Sequence, residues 1–294
     1  MIKRLKYKEI DFKKYENCID TSVQKNFYAH REILDFLSGN WEILVYGDYE
    51  FVMPVPFVKK FGLRFVHIPL FCQQLGVFGK KDCPEINLEF LTFLQNNFRT
   101  VIYAFNCKNT IRNYAVTKKN YFLGKGDYAL NRKNYFKGRK STVKSAQHLI
   151  FKELQLDSEL LAFIEKHFKG LDKSADRNKF LTYVTYLNQE EKLRIFGSFK
   201  EVKLTNLALI TDSGSSFSLL GLMNDDEFMK ENGSSFLIDR ILKEYLHERS
   251  FDFMGGNIRG IEVFFKSFGA QLQEYPIVQP SKLKIFTNIF PNQQ

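Results

Sequence analysis

The residues from Phe251 to Gly269 have the types and spacing best suited to chemistry. They begin with an apolar strand-like run and a glycine turn, FDFMGGN, and end in FFKSFG. Glycines at a strand end let the backbone approach a ligand closely, because they carry no side chain. A lysine among phenylalanines beside that turn can stabilise an oxyanion or a phosphate. The alternative is a structural turn with Lys266 reaching water and Asp252 making a structural hydrogen bond.

A second candidate is the basic segment 131–144, NRKNYFKGRKSTVK, which contains six cations and no acid. Its tyrosine and phenylalanine stand between the charges, an arrangement that suits phosphate contact with stacking beside it. We predict one basic connecting helix over residues 131–146. The alternative is a solvated helix face, which is the usual role of a run of charges.

The cysteines and histidines do not predict a metal site. The four cysteines form no C-x-x-C pair, and the five histidines have no H-x-x-x-H or H-E-x-x-H spacing. We therefore expect no metal ligands and interpret the cysteines as reduced thiols, mostly buried.

The second half of the chain has the most regular periodicity. Apolar residues at helical or alternating spacing predict six strands and four helices, in the order β-α-α-β-β-β-α-β-α-β. The predicted segments are 147–154, 158–168, 174–187, 192–199, 202–211, 215–223, 235–248, 251–254, 261–268 and 271–278.

The first half repeats this order less clearly. The predicted strands are 2–9, 41–46, 50–59, 64–68 and 101–105, and the predicted helices are 28–37 and 84–98. Gly47-Asp48 is the turn signal of a hairpin between the second and third strands. The stretch 108–126 fits the order poorly. We predict an α/β (α+β) fold of two domains, 1–130 and 147–294, joined by the basic helix 131–146.

Length, composition and charge agree with such a protein. A chain of 294 residues exceeds what one core usually supports, and 44% hydrophobic residues allow a sizeable core. The net charge of +10 favours anionic partners. No apolar run approaches the roughly 20 residues of a membrane span, and the N-terminal residues do not resemble a signal peptide, so we expect a cytoplasmic protein.

The C-terminal run FDFMGGNIRGIEVFFKSFGAQLQEYPI resembles the signature of the Fem family of aminoacyl and acyl transferases, D-F-G-G followed by F-K-x-x-F-G and a closing strand. Met254 replaces the smaller residue that is usual there. The run PLFCQQLG, residues 69–76, and the basic segment are also similar to parts of that family.

This resemblance implies two tandem domains of the GNAT acyltransferase fold, with mixed, mostly antiparallel sheets flanked by helices and a degenerate first domain. It implies transfer of an acyl or aminoacyl group to an amine, as when family members pass an amino acid from transfer RNA to a peptidoglycan precursor. The donor would be an aminoacyl-tRNA or an acyl-CoA, and no other cofactor is expected. Candidate catalytic residues are Lys266 and Asp252. Candidate substrate-binding residues are Gln73, Gln74, Arg139, Lys140, Gly255, Gly256 and Asn257.

Two other functions fit the same pattern. An N-acetyltransferase that uses acetyl-CoA shares the fold, but it usually carries Q/R-x-x-G-x-G/A before the helix at 235, where this chain reads NDDEFMKENGSS. A non-catalytic module could bind RNA or anionic glycans through the basic segment.

Overall fold

The computed structural model describes residues 1–112 and 116–280 and divides by its contacts into two compact units. The first unit comprises Met1–Lys119 and the segment that begins at Glu274, and the second comprises Asn120–Gln273. This division differs from the predicted one. The segment 131–146 lies within the second unit, and the last described strand returns to the first unit from Glu274 onward.

The sheet of the first unit runs in the order β1-β2-β3-β4-β6-β13, with β5 paired to the start of β3. Its strands are β1 (Ile2–Leu5), β2 (Trp41–Tyr46), β3 (Phe51–Lys60), β4 (Leu63–His67), β5 (Phe78–Gly79), β6 (Arg99–Ala104) and β13 (Gln271–Val278). Only β4 and β6 pair in parallel among these strands in the described residues. The predicted β2–β3 hairpin is confirmed, with Trp41 opposite Pro56 and Tyr46 opposite Phe51.

Three α-helices belong to the first unit: α1 (Phe12–Thr21), α2 (Arg31–Ser38) and α3 (Pro84–Asn97). Helix α1 is not predicted from the sequence, because most of its residues are polar or charged and only Tyr15, Cys18 and Ile19 are buried. The predicted first strand is too long, since Tyr7–Glu9 forms a turn of 3₁₀-helix. With α1 included, the first unit follows the same β-α-α-β-β-β-α-β order as the second, apart from the two-residue β5.

The sheet of the second unit runs in the order β7-β12-β11-β10-β9-β8. Its strands are β7 (Thr117–Leu123), β8 (Ile150–Leu154), β9 (Leu193–Lys200), β10 (Lys203–Asp212), β11 (Ser216–Asn224) and β12 (Ser250–Asp252). The strands β9 to β11 form an antiparallel meander, β8 pairs antiparallel with β9, and β11 and β12 pair in parallel.

The helices of the second unit complete the predicted element order. They are α4 (Tyr128–Lys133), α5 (Lys137–Ser145), α6 (Ser158–His167), α7 (Ser174–Gln189), α8 (Gly233–Tyr245) and α9 (Arg259–Lys266). Helix α8 packs its buried face against β9, β10 and β11 in an aromatic and aliphatic core.

The predicted single connecting helix is wrong, because the basic segment bends between α4 and α5. Tyr135 at the bend is buried and packs edge-on against Phe268, with ring centroids 5.3 Å apart. The backbone N–H of Phe136 donates to the carbonyl of Ser267 at 3.0 Å. Burial of one aromatic side chain therefore interrupts the helix, although the charges around it predict an uninterrupted solvated face.

The start of α8 lies directly on the sheet. A Cβ atom at Gly233 would stand 1.6 Å from Oδ1 of Asn206, so only glycine allows this approach. The contact fixes Ser234 and Ser235, in the first turn of α8, at the edge of the sheet where β11 ends.

Candidate functional site

Strands β11 and β12 part from each other and leave a slot. They pair only between Ser216–Ser218 and Ser250–Asp252, after which β12 ends and β11 continues to Asn224. Gly221 pairs with Leu209 and Leu219 with Ile210, so Leu220 is an extra residue on the β11 side. Such a bulge bends a strand. The β11 edge beyond Ser218 therefore borders a cavity.

The slot has a volume of about 550 Å³ and a mostly apolar wall. The apolar side chains that line it are Phe168, Leu219, Leu222, Phe253, Met254, Ile258, Ile261, Phe264 and Phe265. The polar side chains are Lys169, Asn224, Ser234 and Asn257. An apolar concavity with few polar groups is the usual form of a small-molecule site. Three predicted site residues, Gly255, Gly256 and Asn257, lie in its wall.

A buried polar network holds the end of the slot nearest α8. Oδ1 of Asn224 accepts hydrogen bonds from the Ser234 hydroxyl and from Nδ2 of Asn206. Asn206 is itself buried, and its Oδ1 accepts from the Ser198 hydroxyl at 3.0 Å. A satisfied buried network of this kind fixes side-chain positions, which pre-organises this end of the slot for a ligand.

The glycine turn after β12 is held by Asp252 and Asn120. Oδ1 of Asp252 accepts from the N–H of Met254 at 2.7 Å, and Oδ2 accepts from Nδ2 of Asn120 at 3.1 Å. Oδ1 of Asn120 accepts from the N–H of Gly255 at 2.9 Å. These bonds support a backbone with positive φ at Met254 (60°), Gly255 (143°) and Gly256 (137°).

Asp252 is placed to shape this turn. Burial raises the pKa of its carboxyl to about 6, although the two donors act in the opposite direction. The residue does not appear in the slot wall; its neighbour Phe253 does. Asp252 can therefore influence a ligand through the position of the turn.

Lys266 lies on the flank of α9. Its ammonium forms an ion pair with Glu262 at 2.9 Å, and the Tyr121 hydroxyl donates to the same carboxylate at 2.8 Å. Hydrogen bonding to Glu262 and Tyr121 raises the pKa of Lys266, so it stays charged at neutral pH. Ile261 and Phe265 of α9 line the slot, and Lys266 does not. Successive residues of an α-helix are about 100° apart, so the side chain of Lys266 leaves the helix at that angle from the side chain of Phe265.

Arg139 stands between α5, α8 and α9. Its Nε donates to the Ser267 hydroxyl at 2.8 Å, and a terminal nitrogen donates to the Ser235 hydroxyl. The guanidinium carbon lies 4.3 Å from the ring centroid of Phe264, which lines the slot, and 4.6 Å from that of Phe268. In the described part of the chain no carboxylate forms an ion pair with Arg139, and burial lowers its pKa to about 10. A partly buried cation of this kind favours an anionic ligand.

Lys140, the next residue, faces a different cavity. This basic cleft has a volume of about 640 Å³ and lies between α4, α5 and α8. The six cations that line it are Arg132, Lys133, Lys140, Lys144, Arg240 and Lys243. Its acid, Asp239, is buried and accepts a hydrogen bond from the Tyr128 hydroxyl at 2.8 Å. Burial raises the pKa of Asp239, and because six cations surround this one acid the cleft has a positive field.

Gln73 and Gln74 belong to the first unit. Nε2 of Gln74 donates to Oε1 of Gln73 at 2.9 Å, and Oε1 of Gln74 accepts from the N–H of Cys107 at 2.8 Å. Gln74 is buried and fastens its loop to the loop after β6. The pair therefore has a structural task in the first unit.

Several residues of the site were not selected from the sequence. Asn120 and Tyr121 come from a segment with no motif, and Glu262 lies in the C-terminal motif at a position that the motif does not specify; their pairing depends on β7 lying beside β12. Asn224 and Ser234 flank the acidic stretch that replaces the usual phosphate loop. A polar residue at each end of that stretch was the only available signal.

Residues 1–112 and 116–280 contain no group of three or more His, Cys, Asp or Glu side chains arranged to hold a metal ion. None of their helices combines the length and the apolar character required to cross a bilayer.

Comparison with known proteins gives matches in structure only. No protein-family model matches the chain, and no curated protein sequence does. The crystal structure of FemX matches 93% of this chain and 96% of its own, with a TM-score of 0.65 and 10% identity. A protein of unknown function from Bacteroides thetaiotaomicron matches 95% of this chain and 100% of its own, with a TM-score of 0.64 and 11% identity.

A tandem GNAT protein from the clavulanic acid biosynthesis pathway matches 94% of this chain and 97% of its own, with a TM-score of 0.51 and 9% identity. At such identities the likeness concerns the fold. The predicted fold, two tandem GNAT-like domains with mostly antiparallel sheets, is thereby confirmed, and the chain is Fem-like in architecture.

Proposed function

We propose that the protein is an acyltransferase that joins an acyl or aminoacyl group to an amine at the slot between β11 and β12. The observation that carries this proposal is the parting of these two strands after Ser218 and Asp252. The likeness in fold to FemX and to a tandem GNAT protein gives independent support.

The reaction needs no protein nucleophile. The amine nitrogen attacks the carbonyl carbon of the donor ester or thioester, a C–N bond forms, and the C–O or C–S bond breaks. The amine loses a proton, and the leaving oxygen or sulfur takes one up. The protein must bind both substrates and stabilise the carbonyl oxygen while it is negative.

The positions of Arg139 and of the basic cleft indicate how the donor would be oriented in this proposal. Both candidate donors carry phosphates: in aminoacyl-tRNA the terminal nucleotide bears one close to the ester, and in acyl-CoA the pantetheine arm separates them from the thioester. In our proposal Arg139 binds an anionic group close to the slot, and the basic cleft around Lys140 binds further phosphates. Six cations along one cleft favour the longer polyanion, aminoacyl-tRNA, over acetyl-CoA.

The apolar wall indicates where the acyl group lies. An acetyl group would fill little of a cavity of about 550 Å³, whereas an amino acid side chain would bury against Leu222, Phe253 and Phe264. Lys266 does not line the slot; in this proposal its fixed positive charge acts on the reacting carbonyl from the neighbouring stripe of α9. Asp252 positions the glycine turn. A peptide or cell-wall precursor with a free amine is the proposed acceptor.

The test uses hydroxylamine as a general amine acceptor. The protein is mixed with hydroxylamine and either a pool of aminoacylated tRNA or acetyl-CoA, and the hydroxamate product is measured by mass spectrometry. We expect product from aminoacyl-tRNA at a rate above that of the same mixture without protein, because hydroxylamine also reacts slowly with both donors unaided. Product from acetyl-CoA alone would assign the protein to the N-acetyltransferases, and product from neither donor would contradict acyl transfer at the slot.

Two leucine variants link that activity to the slot. Leu222→Trp places a bulky ring in the cavity and should abolish product formation. Leu88→Trp is the matched control, because Leu88 is an exposed residue of α3 in the first unit. Equal activity of both variants would place the reaction outside the slot.

A further inference from the structure

The β3–β4 hairpin extends beyond the strands on either side of it. β2 pairs with β3 only as far as Pro56, and β6 pairs with β4 only from Phe65 onward. The residues between them, 57–64, form a two-stranded ribbon in which Lys59 pairs with Arg64 and Lys60 pairs with Leu63. At the base of the ribbon, Val58 pairs with Phe65. This ribbon has no strand partner among the described residues on either side.

An aromatic residue occupies the tip of this ribbon. Phe61 is 101% exposed, and it has a φ of 50°, followed by Gly62 with a φ of 74°. Two positive φ angles are typical of the two-residue hairpin turn that favours Asn-Gly. A bulky residue in the left-handed region is unfavourable there. Phe61 is therefore poorly suited to the turn and has full exposure, which points to a ligand outside the described chain.

Apolar and basic residues alternate behind the tip. Val58 and Leu63 are exposed and share a face of the ribbon, because alternate residues of a strand point the same way. Lys59, Lys60 and Arg64 are exposed beside them. Glu42, a buried carboxylate of the first unit, is paired with Arg4 and with Arg64 of the ribbon.

The basic character continues at the base of the ribbon. Lys6 and Lys8 line a cavity together with Lys59 and Arg64. The acids of that cavity are engaged: Asp35 accepts from Tyr7 and Trp41, Glu9 accepts from the N–H of Lys6, and Glu42 is paired as described. Arg64 is paired with Glu42, but within the described residues Lys6, Lys8, Lys59 and Lys60 form no ion pair, so these four lysines present positive charge behind an apolar tip.

We propose that this ribbon docks on the surface of an anionic lipid bilayer, with Phe61 inserted among the headgroups. Aromatic residues favour the membrane interface, and clustered lysines bind anionic headgroups through their charge. Three apolar side chains are too small an area for a stable protein interface. The cations would repel the same ribbon of a second copy. The proposal does not depend on the acyl-transfer function.

Vesicle sedimentation tests this docking with the full chain. Wild-type protein should sediment with vesicles of equal parts phosphatidylglycerol and phosphatidylcholine, but not with phosphatidylcholine alone, and high salt should release it. Phe61→Asn should lower the affinity by about tenfold or more, from the apolar area withdrawn. Because Asn-Gly is a favoured turn pair, this variant should melt at or above the wild-type temperature.

The matched control is Val202→Asn. Val202 is 94% exposed and stands with Glu201 in the two-residue turn between β9 and β10, and Lys200 and Lys203 flank this turn. We expect this variant to bind vesicles as wild type does. Phe61→Trp should retain binding and show a blue-shifted emission with anionic vesicles, against the single buried Trp41.

Three results would overturn the proposal. The first is that wild-type protein does not sediment with anionic vesicles. The second is that Phe61→Asn binds these vesicles as tightly as the wild-type protein does. The third is self-association in sedimentation velocity that Phe61→Asn removes, because this would assign the tip to a second copy of the chain.

Discussion

Asn120 connects the carboxylate of Asp252 to the glycine turn, donating to Oδ2 at 3.1 Å and accepting from the N–H of Gly255 at 2.9 Å. One fully buried amide therefore joins β7 to the turn that closes the slot. The slot depends on this bridge for its shape.

Asn120→Ala should damage both the fold and the turn. It leaves the Gly255 N–H and a carboxylate oxygen without their partner, which costs about 1–3 kcal/mol of unfolding free energy. Because Asn120 lowers the pKa of Asp252, the variant should raise that pKa further. Denaturant melts and carboxyl ¹³C NMR measure the two effects. An unchanged pKa would contradict the bridge.

Asp252 should make stability depend on pH. Its pKa is about 6 in the folded chain against an ordinary value of 3.8, so between these values the folded state holds the proton that the unfolded state has lost. The free energy of unfolding should therefore fall as pH rises from about 4 to 7, by on the order of 2–3 kcal/mol from this group. Asp252→Asn should lack this part of the profile. Identical profiles for the two proteins would refute the assignment.

Lys266→Met should lower hydroxamate formation by about a hundredfold if its charge acts on the reacting carbonyl. Stability should change little, because the side chain is 43% exposed and its pair with Glu262 lies on a helix surface. Lys266→Arg should retain part of the activity. Lys203→Met, which removes an exposed pair with Glu227, is the control. Full turnover by Lys266→Met would remove Lys266 from the mechanism.

Neutralising the basic cleft should weaken polyanion binding. Lys140→Gln with Lys144→Gln should lower the affinity for a fluorescent single-stranded RNA and reduce the slope of log K against log salt by about 1.4. Lys166→Gln with Lys179→Gln, on α6 and α7, is the control for net charge. An equal loss in both pairs would indicate a general charge effect without a specific cleft.

The second unit is the part of the fold most accessible from sequence. The strands of its meander and helix α8 each have an apolar face with a clear period, so their order and bounds are predicted closely. Helix α1 lacks that contrast, because its buried residues are Tyr15, Cys18 and Ile19 among charges. The bend at Tyr135 depends on a contact with Phe268. Because the two residues are far apart in the chain, the local sequence does not predict this contact.

The candidate site is predictable only where it is local. Glycines after a strand indicate a turn, and the structure places Gly255, Gly256 and Asn257 in the wall of the slot. The partners of Lys266 and Arg139 come from distant segments, and helix rotation decides which stripe faces the slot. The Asn120 bridge depends on β7 pairing with β12, a contact between residues far apart in the chain.

The return of β13 to the sheet of the first unit affects how the chain can fold during its synthesis. The last described strand, β13, pairs with β6 in the first unit through Ile277 and Val278, although the whole second unit lies between them in sequence. During synthesis on the ribosome, the edge of β6 that pairs with β13 therefore stays open until the second unit has been translated. A nascent chain halted after Lys119 would expose that edge to chaperones, and no single proteolytic cut could release either unit with its sheet complete.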